Sequence, residues 1–167
     1  MEDLRHLTYC GFHCMLCSTM SRIPEQASAL RTQLQRDGWD EFGDYVVPGL
    51  KEFWATLETL SKFAETCPGC RGGCGAPDCA IRQCAQERGV ELCSACPDFP
   101  CERMEEFGNA YPHLISDARR QQEIGLDAWV SEQEQRRSTG FCHSDIRRPR
   151  STAPGPSGEG REDTQAH

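Results

Sequence analysis

"CPGCRGGCGAPDCAIRQCAQERGVELCSACPDFPC", residues 67 to 101, is the stretch on which the fold turns. It holds Cys67, Cys70, Cys74, Cys79, Cys84, Cys93, Cys96 and Cys101, eight of the chain's 12 cysteines. Its opening is almost entirely Gly, Pro and Cys, a loop composition. "CAIRQCAQERG" then reads as a short helix, with Asp78 as its cap and Gly89 as its stop. Asp98 and Pro100 suit the start of another helix through Arg103, Met104 and Phe107. The segment therefore predicts short helices hung between cysteine-bearing loops, with few or no strands.

The flanks agree. Pro24 suits a first helical turn, and Ile23, Ala27, Leu30 and Leu34 recur on one helical face until Asp37-Gly38. After Pro48-Gly49, the residues Leu50, Phe53, Trp54, Leu57, Leu60 and Phe63 form the strongest amphipathic pattern. They predict a helix over about 50 to 65 with its aromatic face in the core. Pro112 opens a further periodic stretch, Leu114, Ile115 and Ala118, and Leu126, Trp129 and Val130 give a last apolar face. No run alternates with a period of two. The reading is mainly α: a small helical, cysteine-rich metal-binding domain over 1–142, followed by a tail, 143–167. The tail is rich in Ser, Pro, Gly and charge, and its composition predicts disorder.

A chain of 167 residues with 37% hydrophobic content and a mean hydropathy of -0.64 has a modest core. Such a polar chain gains from metal or disulfide cross-links. The N-terminus lacks the apolar run of a secretory signal, and no stretch approaches the roughly 18 apolar residues of a membrane span. The expectation is a cytoplasmic protein, where clustered thiols mean metal rather than disulfides. The net charge of -8 argues against nucleic acid as a main partner, since phosphate binding needs a positive footprint. A protein partner is compatible with these numbers. Arg136, Arg137, Arg147, Arg148 and Arg150 read as a solvated charged linker beside the acidic "EGRED".

As ligands, Cys67-x2-Cys70 and Cys93-x2-Cys96 make the best single quartet: two knuckles, each placing two sulfurs on one side of a tight turn. Cys10, Cys14 and Cys17 could give three ligands to a second centre, with a fourth from Cys79, Cys84 or Cys101. Exchange of knuckles between the two centres stays open. Cys74 and Cys142 read as free thiols, and His6 and His13 as exposed or turn histidines. Thiolates suit zinc and iron–sulfur clusters alike. Knuckles with long spacers point to Zn²⁺. The Cys-Pro pairs at 67–68 and 96–97 echo ferredoxin ligands and keep a [4Fe-4S] cluster as the alternative.

"TYCGFHCMLC", residues 8 to 17, has the Cys-x3-Cys-x2-Cys spacing of enzymes that cleave S-adenosylmethionine. Those enzymes need a barrel of parallel strands behind the cluster. Here amphipathic helices and more cysteines follow. No Ser–His–Asp order, paired carboxylate motif or phosphate-cradling loop appears, and "RGGCGAP" lacks the Lys and strand of a phosphate loop. The donor surplus favours a non-enzymatic protein.

"YCGFHCMLC", "CPGCRG", "CAIRQCAQERGVELCSACPDFPCERM" and "IGLDAWVSEQEQR" follow one another as in an uncharacterised cysteine-rich family, domain of unknown function 3795. The resemblance covers roughly residues 8 to 142. It implies a small prokaryotic protein of a kind frequent in anaerobes, with metal held by Cys10, Cys14, Cys17, Cys67, Cys70, Cys79, Cys84, Cys93, Cys96 and Cys101. Ten ligands suggest two sites. Relatives continue past the Trp-containing helix into a Cys-Pro-x-Cys-Gly knuckle; this chain has Phe141-Cys142-His143-Ser144 instead, so a third site would need His143 as a ligand. The resemblance implies no activity. The functional expectation is a zinc protein with structural metals and an adaptor or regulatory role. The alternative is an iron–sulfur protein for electron transfer or redox sensing.

Overall fold

The computed structural model describes residues 4–149. Among them the chain is mainly helical and has no strand; one antiparallel bridge, Leu7 to His13, closes the N-terminal loop. A single helical turn, α1 (Ser18–Ser21), leads into α2 (Ile23–Arg36), which carries Pro24 in its first turn. Asp37 ends α2 as expected, and Gly38, at φ +75°, turns the chain directly into α3 (Trp39–Val46). The periodicity had not revealed α3. It is only eight residues long and has Gly43 inside, where a Cβ would collide with Leu50.

α4 (Leu50–Ser61) lies along α2, and α5 (Phe63–Thr66) follows after a break at Lys62, so the helix expected over 50 to 65 is two. Its aromatic face is not in the core. Leu50 and Leu57 are buried, whereas Phe53 is 42% exposed and Trp54 is half-buried with Arg31 over its ring. Leu30 of α2 is itself exposed. α3 packs against both α2 and α4, and Phe53 still stays exposed.

α6 (Ala80–Glu87) begins at Cys79, not with Asp78 as a cap, and Gly89 follows it at φ +63°. α7 (Glu102–Ala110) begins at Cys101, later than Asp98 and Pro100 suggested; Asp98 instead pairs with Arg88. α8 (Leu114–Ile124) and α9 (Leu126–Ser138) form an antiparallel pair across Gly125. Trp129 of α9 is fully buried, and α9 also packs on the 3-10 turn Cys14–Leu16.

Ile81, Met104 and Leu114 are the centre of an apolar cluster, with Cys10, Phe12, Cys79, Cys93, Phe99 and Cys101 packed against it. The cysteine loops thus form the rim of this core. The chain stays ordered past residue 142: His143–Asp145 is a 3-10 turn, and Arg22 grips Asp145 and the Gly140 carbonyl. Of the expected tail, residues 150–167 lie outside the described residues.

Candidate metal centre

Two depressions gather the thiols. The first, about 320 Å³, is lined by Cys14, Cys17, Cys67, Cys70 and Cys74 together with Phe12, His13, Met20, Phe63, Tyr111 and His143. Cys14 and Cys17 come from one knuckle, closed by the Cys17 N–H donating to the Cys14 carbonyl at 2.9 Å. The second knuckle, Cys67–Cys70, turns through Gly69 at φ +73°, packed against the Arg5 carbonyl. Two guanidiniums hold its loop. Arg71 donates to the carbonyls of Leu7 (2.9 Å) and Glu91 (2.6 Å) and stacks on Tyr9. Arg82, buried, donates to those of Cys74 (2.8 Å), Ala76 (2.6 Å) and Pro77 (3.2 Å). The Cys67 and Cys74 sulfurs are 2.7 Å apart.

The second depression is smaller, about 50 Å³, and is lined by Cys84, Cys93, Cys96 and Cys101 with Arg88, Asp98 and Arg103. Four local structures supply its sulfurs: α6 gives Cys84, the 3-10 turn Cys93–Ala95 gives Cys93, the following position gives Cys96, and the residue before α7 gives Cys101. Arg103 donates to the Cys84 sulfur at 3.3 Å and Arg88 to the Cys96 sulfur at 3.8 Å. Cys10 and Cys79 line neither depression. Both pack on the Ile81 cluster, and the Cys10 sulfur shares a hydrogen bond with the Thr8 hydroxyl at 3.1 Å.

The crowding has an electrostatic consequence. Burial, then the neighbouring thiols Cys10, Cys101, Cys96 and Cys84, push the Cys93 thiol up to about 12. Burial is also the main cause raising Cys14 to about 11, with Cys70, Cys17 and Cys67 adding to it and the main chain at Cys70 opposing. Cys10 and Cys74 are likewise pushed up to about 11, chiefly by burial. Without a cation, these sulfurs stay protonated at neutral pH.

The grouping departs from the expected quartet. Cys67 and Cys70 line the depression with Cys14 and Cys17, while Cys93 and Cys96 line the other with Cys84 and Cys101. Cys74, expected to be free, joins the first group; its place four residues after Cys70 was the signal. His13 is buried at 5% exposure, not solvent-facing. His143 is buried too, stacked on Phe12 and hydrogen-bonded to His113 at 2.9 Å. Cys142 is fully buried and accepts from the Ser144 hydroxyl at 3.1 Å, away from both depressions. Among the described residues, no three His, Cys, Asp or Glu side chains already stand close enough to hold an ion. The donor sets are nevertheless chemically suited to one: soft sulfur, with four or more donors about each depression.

Together the helices and thiol-lined depressions define a mainly helical, cysteine-rich protein. The chain belongs to the family described as protein of unknown function DUF3795, whose model matches residues 6–106. That span takes in both depressions' cysteines and leaves out His113, Cys142 and His143. No curated protein and no solved structure matches the chain.

Proposed function

We propose that the protein binds two metal ions through thiolates, most simply Zn²⁺, and that the ions are structural in a protein acting as an adaptor or regulator. One site would draw on Cys14, Cys17, Cys67 and Cys70, with Cys74 as a fifth donor and Cys10 and Cys79 beside it. The other would use Cys84, Cys93, Cys96 and Cys101. The observation that carries the reading is that two sets of mostly half-buried thiols, drawn from separate loops, line the two depressions, and that Cys14 in one set and Cys93 in the other are pushed up chiefly by burial. A bound divalent cation would reverse that balance and stabilise the fold, because each ligand is then a thiolate on a metal.

The sequence supports this with knuckle spacing in both sets and with no acid–base constellation. Its Cys-Pro pairs, at 67–68 and 96–97, support an iron–sulfur protein as a second reading. Protein purified without oxygen and analysed for zinc, iron and visible absorption separates the two. Stoichiometric zinc in a colourless preparation is expected, and chelation should collapse the far-UV helical signal. A chelated protein that keeps its helicity and melting temperature would sink the structural role.

A further inference from the structure

We infer that the two thiol sets are electrostatically unequal, and that the Cys84, Cys93, Cys96, Cys101 set holds its metal more tightly, with Arg103 and Arg88 as positioning residues acting through the sulfurs. This rests on the two-site reading above.

A divalent ion on four thiolates leaves a local charge of −2. Hydrogen-bond donors aimed at the sulfurs, above all cationic ones, offset that charge and orient the ligands. At this set the donors are in place: Arg103 reaches the Cys84 sulfur at 3.3 Å, and Arg88 reaches the Cys96 sulfur at 3.8 Å. Arg88 is also paired with Asp98, which cancels part of its charge while fixing its position. Arg103 is therefore the stronger of the two.

The other depression differs in kind. Among the described residues, no Arg, Lys, Asp or Glu lines it. The two guanidiniums that hold its loop, Arg71 and Arg82, direct the donors described above at main-chain carbonyls rather than at sulfur. Its sulfurs have main-chain donors, at Cys70 for Cys14 and at Gly75 for Cys74, in place of the guanidiniums of the other set, and they lie beside apolar walls such as Phe12, Met20 and Phe63. It is also the more open of the two spaces, at about 320 Å³ against 50 Å³. Weaker charge compensation and readier access act in the same direction: this ion leaves first. The protein then has one permanent ion and one exchangeable ion, which suits a regulatory role.

The test uses the full chain loaded with ¹¹³Cd as the probe metal and stripped by graded chelator, followed by ¹¹³Cd NMR. Cys67→Ser and Cys84→Ser assign the two resonances. The resonance missing from Cys84→Ser is expected to be the last to vanish from the wild type. Arg103→Gln should weaken cadmium at that set by about 10- to 100-fold, the usual cost of losing an outer-shell partner, and bring the two stripping curves together. Arg88→Gln should do less, and Arg103→Lys should restore part of the difference. Arg103 is exposed, so its variants fold whether or not the cysteine variants do. Two resonances that vanish together in the wild type, or an unchanged order in Arg103→Gln, overturn the inference while leaving two sites standing. A chain that takes up no cadmium overturns the two-site reading itself.

Discussion

Arg82→Met tests whether the cysteine loop is held by a buried guanidinium rather than by metal alone. Arg82 is 7% exposed and donates to three carbonyls on one loop, those of Cys74, Ala76 and Pro77. A hydrogen bond from a charged donor contributes about 1.5–3 kcal/mol net. Ala76 and Pro77 are exposed, so water replaces the donor at two of the three acceptors and only the half-buried Cys74 carbonyl is left short. Met keeps most of the buried stem. The expected loss is therefore about 2–4 kcal/mol, a large fraction of the roughly 5–15 kcal/mol typical of a domain. Urea unfolding of metal-loaded protein, followed by far-UV circular dichroism, should show the midpoint falling by about 1–2 M at a slope near 2 kcal/mol/M. Arg82→Lys, which keeps the charge but loses the fork, should fall between the two. If Arg82→Met unfolds within about 0.5 kcal/mol of the wild type, the loop is not held by this side chain.

Two further outcomes follow from local geometry. Burial first, then the neighbouring His113, lowers the His143 imidazole to about 4. The unfolded chain takes up a proton near pH 6.5 that the folded chain refuses, so stability is highest above about 6.5 and falls as pH drops towards 4, by up to about 3 kcal/mol. His143→Phe should flatten that part of the pH–stability curve relative to wild type, and equal slopes would refute the assignment. Gly69→Ala places a Cβ against the Arg5 carbonyl at a positive φ, and should lower the thermal midpoint by several degrees. Gly73→Ala, at a similar φ but with open space around it, should cost less.

Much of the helical layout was legible because buried faces leave a period. α2, α8 and α9 follow the spacing of Ala27, Leu114, Ala118 and Trp129, all buried. α3 was hidden because Gly43 and several acids interrupt its short face, and the aromatic face of α4 misled because α2 and α3, packed on α4, leave Phe53 exposed. The cysteines were individually legible as candidate ligands, but their grouping was not. Spacing within a knuckle is a local property, whereas the pairing of knuckles depends on how α6, α7 and the N-terminal loop pack about Ile81, Met104 and Leu114. Equally invisible were Arg88 and Arg103, ordinary surface residues until α6 and α7 carry them to sulfur. His143 lay beyond the expected domain end, so its burial against Phe12 had no signature in the tail's composition.

The central claim is that the thiols divide into two metal sites along the lines of the two depressions. Metal per chain, counted by native mass spectrometry, tests it most directly in three proteins: wild type, Cys14→Ser/Cys67→Ser and Cys84→Ser/Cys101→Ser. Two ions in the wild type and one in each double variant are predicted. A wild type without metal, or a double variant that still holds two ions, would contradict the account.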